Sequence, residues 1–140
     1  MLFPKKVKYR KWHTLRKNPD KVGVASRNLH VSFGSHGLKA ITAARLTSNQ
    51  IESARKVISR TLGKTGRMWI RVFPDMPFTK KPAEVKMGKG KGDIEGYHAP
   101  VKPGQIIFEV DGVADSIARE SLRKAGTKLP LKGKVVAREQ

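Results

Sequence analysis

Apolar positions along the chain fall into stretches of two different periods. Ile51, Ala54, Val57, Ile58, Thr61 and Leu62 recur at helical spacing, which predicts a helix with one face in a core. Thr47 and Gln50 stand at capping-box spacing before it, and Gly63 follows it, supplying a start and a stop. The arc opposite the stripe carries Glu52, Lys56 and Arg60, with Arg55 at its edge, so the helix has a largely basic outer face. Met68 to Phe73 alternates instead, with Met68, Ile70 and Val72 on one side and Trp69, Arg71 and Phe73 on the other. That period predicts the best strand in the sequence.

The remaining elements are shorter. His30–Gly34 and Leu38–Ile41 predict two strands around a glycine-containing turn. Pro74, Pro77 and Pro82 predict a rigid open loop rather than more sheet. A turn at Pro103-Gly104 leads into a strand through Ile106, Phe108 and Val110. A second helix is predicted over Asp115–Ala125, closed by Gly126, with Ile117, Ala118 and Leu122 in the core. Leu129–Val136 predicts a last strand. Helices and strands mix without a βαβ rhythm, which points to an α+β fold with mainly antiparallel pairing.

Residues 5–27 break this pattern. Lys5, Lys6, Lys8, Arg10, Lys11, Arg16, Lys17, Lys21 and Arg27 stand there against Asp20 alone, and the apolar residues show no period. Such a segment does not fold by itself. Residues 1–28 are therefore expected to form a basic extended arm, and residues 29–140 a single domain. Tyr9 and Trp12 lie among the cations, either to stack on a nucleic-acid partner or to anchor the arm on the domain.

Charge narrows the function. The 140 residues carry a net charge of +19. Residues 1–91 hold 22 basic and 4 acidic side chains, whereas residues 92–140 hold 8 and 7. A basic portion joined to a nearly neutral one fits a polyanion binder with its own conventional core. Solubility alone is a poor explanation, because added acids serve it better. No basic amphipathic helix, lipidation signal, apolar spanning run or secretory leader stands out, so the expected setting is soluble and intracellular, with no membrane partner. Cysteine is absent, which removes disulfides and thiolate metal sites.

The most unusual local feature is Lys86-Met87-Gly88-Lys89-Gly90-Lys91-Gly92. Glycine lets backbone approach a phosphate, and each lysine adds a mobile point charge. The loop is suited to insertion beside RNA. It matches neither phosphate-cradling pattern: Gly63-Lys64-Thr65 lacks the earlier glycine, and the run is G-x-G-x-G rather than G-x-G-x-x-G. His13, His30, His36 and His98 have no metal-ligand spacing, and Asp93 and Glu95 balance the lysines of the loop. Neither an enzyme's constellation nor a cofactor site emerges. A DNA-compacting protein would share the charge but should show heptads or a helix-turn-helix pattern.

Motifs filling the chain resemble the bacterial large-subunit ribosomal protein L-sixteen family (universal uL-sixteen). They are Met1-Leu2-x-Pro4-Lys5, Phe33-Gly34-x-x-Gly37-Leu38-Lys39-Ala40, Arg45-Leu46-Thr47 leading to Gln50-Ile51-Glu52-x-Ala54-Arg55, and Trp69-Ile70-Arg71-Val72-Phe73-Pro74-Asp75. Thr79-x-Lys81-Pro82, Met87-Gly88-Lys89-Gly90-Lys91-Gly92 and Ala125-x-x-Lys128-Leu129-Pro130 complete the set. The resemblance implies a curved antiparallel sheet or sandwich with two helices, and a structural place in the large ribosomal subunit. It implies three kinds of partner: large-subunit ribosomal RNA, neighbouring large-subunit proteins, and tRNA at the A site, with P-site tRNA a second candidate. Late subunit assembly and tRNA accommodation would depend on it, on cytoplasmic ribosomes or those of an organelle.

By position, Lys5, Lys6, Lys8, Tyr9, Arg10, Lys11, Trp12 and Arg16 of the arm become candidate ribosomal-RNA contacts. Arg45, Arg55, Lys56, Arg60, Lys64, Arg67 and Arg71 join them from the domain. Lys86, Met87, Gly88, Lys89, Gly90, Lys91 and Gly92 become the tRNA-facing apex of a loop spanning residues 82–96. Three departures stand out: Lys86 where bacterial members often carry Arg, Asp93–His98 in place of a more aromatic run, and a longer segment from Lys17 to Asn28.

Overall fold

The computed structural model describes residues 1–14 and 18–139. Its regular elements are β1 (His36–Ala40), β2 (Ala44–Thr47), α1 (Ser48–Leu62), β3 (Arg67–Ile70), β4 (Met76–Lys80), β5 (Asp93–Val101), β6 (Ile106–Asp111), α2 (Asp115–Gly126) and β7 (Gly133–Ala137). The strands form two open antiparallel sheets, one ordered β3-β6-β1-β7 and the other β2-β5-β4. This is the expected α+β sandwich with two helices.

The expected cap of α1 is present in full. Gln50 N–H donates to Thr47 Oγ1 at 3.3 Å, and Thr47 N–H donates to Gln50 Oε1 at 3.0 Å. Gly63 closes the helix at a positive φ of 70°, which glycine adopts readily, and its N–H donates to Ser59 O. Ile51, Ala54, Ile58 and Leu62 are buried in one cluster with Leu38, Leu46, Ala99, Val101, Phe108, Val110, Ala118, Leu122 and Ala125. A single core thus joins both helices to both sheets. In α2, Ala118 and Leu122 are buried as expected, but Ile117 is exposed. Its position lies just off the stripe that α1 and the first sheet cover.

Several expectations need correction. His30–Gly34 forms no strand; its backbone is held by a carboxylate, described below. The strand expected over 68–73 ends at Ile70, because the chain leaves β6 after Arg71 N–H bonds to Ile107 O and crosses to the second sheet through buried Val72 and Pro74. The open loop expected from Pro77 is instead β4, with Pro77 opposite Tyr97. An edge strand tolerates a residue with no N–H to donate, and β4 is an edge. Asp93–Glu95 belongs to β5, so the irregular part of the 82–96 loop ends at Gly92.

The segment preceding β1 lies against the first sheet. Ala25 N–H donates to Pro103 O at 2.9 Å, and Ile106 N–H donates to Asn28 O at 2.7 Å. Val31 packs over Gly37, where an added Cβ would stand 2.8 Å from its methyl. Ile106, which also lies beside Gly37, and Glu109 face this segment and are consequently buried, whereas the bulge opposite Leu38 and Lys39 turns Ile107 into the core.

Candidate nucleic-acid interface

The basic candidates fall into three groups with different surroundings. The arm is anchored at its start, where Leu2 packs on the core and Phe3 meets Tyr97 of β5 edge-on with ring centres 6.4 Å apart. It then runs along the root of the Gly-Lys loop. Lys11 Nζ donates to Lys91 O at 3.4 Å, Lys91 Nζ donates back to Trp12 O, and Arg10 reaches Asp93 at 4.0 Å. Arm and loop, 80 residues apart in sequence, thereby form one basic surface. Tyr9 and Trp12 both stay exposed, and Lys8 Nζ sits 5.6 Å from the Tyr9 ring centre. Lys5 and Lys6 are exposed as well. Arg16 lies outside the described residues.

The loop itself is carried between β4 and β5. Gly88, Lys89 and Gly90 all take positive φ, at 98°, 58° and 110°. Two glycines make that apex feasible, since side chains oppose this region. Met87 is 98% exposed. Lys81 Nζ donates to Gly88 O at 2.5 Å and ties the apex to the loop's first limb. Gly92 sits where a Cβ would approach Lys80 backbone and Lys81 at 3.0–3.1 Å. Among the described residues, Lys86 and Lys89 have no hydrogen-bond or ion-pair partner, so their charges face outward.

The third group lines the path from β2 through α1 to β3. Arg45 is exposed on β2, and Lys56, Arg60, Lys64 and Arg67 are exposed in turn. Arg55 is bound to Glu52 through two hydrogen bonds of 3.0 and 2.6 Å. That pairing holds the Glu52 carboxyl below its ordinary range and raises Arg55. Near the N-terminus of α1, Ser48 and Asn49 line a shallow cavity with Phe3, Phe78 and Tyr97. The helix start therefore adjoins the arm and the sheet that bears the loop.

Arg71 differs from every other candidate. Its Nη1 donates to Glu109 Oε1 at 2.7 Å and its Nη2 to Asn28 Oδ1 at 3.1 Å, with the guanidinium 4.9 Å from the Phe33 ring centre. Glu109 is wholly buried. It also accepts from the backbone N–H groups of Ser32 (2.8 Å), Phe33 (2.7 Å) and Gly34 (3.2 Å). A buried carboxylate survives only with such saturation. Arg71 thus serves the fold from within. Sequence reasoning missed Glu109, Asn28 and Phe33 as its partners. The alternation along β6 concealed them, because a bulge puts Ile106 rather than Ile107 on the side of Glu109.

Among the described residues, no group of three or more His, Asp or Glu is arranged to hold a metal, and no helix is long and apolar enough to cross a membrane. His98 is buried on the second sheet, stacked on Phe78 with ring centres 5.3 Å apart, and its Nε2 has no partner. Burial, and then the charge of Arg45, keeps its pKa below the ordinary value.

Comparison with known proteins agrees with this arrangement. The family model described as "Ribosomal protein L16p/L10e" matches residues 4–136. The large ribosomal subunit protein uL16 of Thermosipho africanus is 53% identical over 140 residues, covering all of this chain and 96% of its own length. The protein of the same name from Afipia carboxidovorans is 54% identical over 138 residues, covering 99% and 98%. That from Staphylococcus carnosus is 51% identical over the whole chain and 94% of its own length. The family is one of ribosomal proteins and not of enzymes. Identity at this level across the full length, together with the match over residues 4–136, bears out the resemblance carried by the motifs: the chain belongs to the ribosomal protein L16p/L10e family.

Proposed function

We propose that this protein is a structural component of the large ribosomal subunit in the cytoplasm, holding ribosomal RNA with its arm and the outer face of α1. Its Gly-Lys loop reaches tRNA at the A site, near the peptidyl-transferase region. The observation that carries this reading is the loop: two lysines without internal partners stand on a glycine apex, and its root is clasped by the basic arm. Phosphate contacts from such cations set position and orientation rather than reading bases. Neighbouring large-subunit proteins complete the surroundings, and the arm's ordering against RNA ties the protein to late subunit assembly.

Two measurements test the two levels of the proposal. Tagged protein should sediment with large subunits and full ribosomes through a high-salt wash; release as soon as salt rises would sink the structural role. Ribosomes carrying Lys89→Ala with Lys91→Ala should assemble yet accommodate aminoacyl-tRNA more slowly, and normal accommodation would remove the loop from the mechanism.

A further inference from the structure

Phe33 is 56% exposed although its backbone is among the most firmly held in the molecule. Its N–H and those of both neighbours end on the Glu109 carboxylate. Gly34 passes so close to β6 that an added Cβ would stand 2.5 Å from Val110 O. The ring lies nearly parallel to Trp69, at 22° with centres 6.3 Å apart, and the Arg71 guanidinium is placed against it. An aromatic ring is thus offered to the exterior on a fixed mount.

We propose that Phe33 is a stacking platform for a single unpaired RNA base. The inference rests on the ribosomal-RNA reading above and adds a contact of another chemical kind to it. Charges around the ring are largely balanced: Arg67 is in register with Asp111, and Arg138 and Glu139 line a shallow hollow with Gly34, Ser35 and Asp111. Phosphate attraction is therefore weak at this spot, whereas a base's π face is indifferent to that balance. A protein partner would need a broader apolar patch than one ring bordered by charged and backbone groups. The rigid mount also removes the ordering penalty that a mobile aromatic side chain would incur on binding.

The test uses large subunits carrying wild-type protein, Phe33→Leu or Phe33→Trp, probed by chemical modification of unpaired ribosomal-RNA bases. Leucine keeps apolar bulk but has no π face; tryptophan keeps one. One base should become about tenfold more reactive in Phe33→Leu, remain protected in Phe33→Trp, and leave the rest of the protein's footprint unchanged. An identical footprint for all three overturns the platform while leaving the ribosomal role intact. Wild-type protein absent from the particles would defeat that role and the platform together. A benzophenone side chain placed at position 33 gives a second readout: photocrosslinking to RNA supports the platform, and photocrosslinking to a neighbouring protein overturns it.

Discussion

The segment preceding β1, laid over the first sheet, and the Gly-Lys loop on the second surround arginine and lysine in opposite ways. Beneath that segment, Arg71 is nearly enclosed, hydrogen-bonded to Glu109 and Asn28, and matched to a buried carboxylate. In the loop, Lys86 and Lys89 stand in solvent without a partner among the described residues. A basic sequence therefore does not equate to a basic surface. Cations that the fold neutralises hold it together, and those it leaves unmatched are available to RNA.

Glu109→Ala should have the largest effect. It leaves the Arg71 charge and three backbone N–H groups without their acceptor, so denaturant unfolding should show a loss of about 3–5 kcal/mol. A loss under about 1 kcal/mol, the scale of an exposed pair, would break the distinction between the two regions. Lys86→Ala with Lys89→Ala should do the reverse, leaving the unfolding midpoint in place. The logarithmic salt slope of ribosomal-RNA binding should fall by about 1 for each lysine that meets a phosphate. A shifted unfolding midpoint would show that the loop also supports the fold.

The second sheet has a smaller weakness of its own. His98 is kept neutral by burial, so the unfolded chain takes up a proton there first as pH falls. Stability should be constant above the ordinary histidine pKa of 6.5 and decline below it. The decline should be shallower in His98→Phe, as followed by thermal unfolding between pH 7.5 and 5.5; equal slopes would discount this site. The smallest effect is expected from Arg123→Ala on α2. Arg123 meets Glu120 in the open, where Lys124 also lies 3.7 Å from the same carboxylate. Its unfolding temperature should be indistinguishable from the parent.

Much of this was legible in the sequence where local chemistry decides the outcome. The Thr47–Gln50 cap, the stripe of α1, the Gly63 stop and the Gly-Lys loop all follow from spacing and residue type. Two strands were not legible for the same physical reason. In β4 and β5 the second sheet is built around Pro77, Gly96, His98 and Pro100, residues of weak strand preference that pairing nonetheless accommodates. Pro100 pairs with Arg45 of β2 beyond the point where β4 flanks the strand. The Glu109 latch was hidden because a glutamate alternating with Phe108 and Val110 looks solvent-facing until a distant segment is laid over it.

The loop apex has a stereochemical consequence. At Gly88 and Gly90 an added Cβ would meet nothing within 4 Å, so bulk does not restrict these positions. Handedness does, because their φ values lie where L-residues are disfavoured and their mirror images are at ease. In a chemically ligated protein, D-alanine at either position should keep the loop's shape while L-alanine distorts it. The tip of this loop is defined by its chirality rather than by its volume.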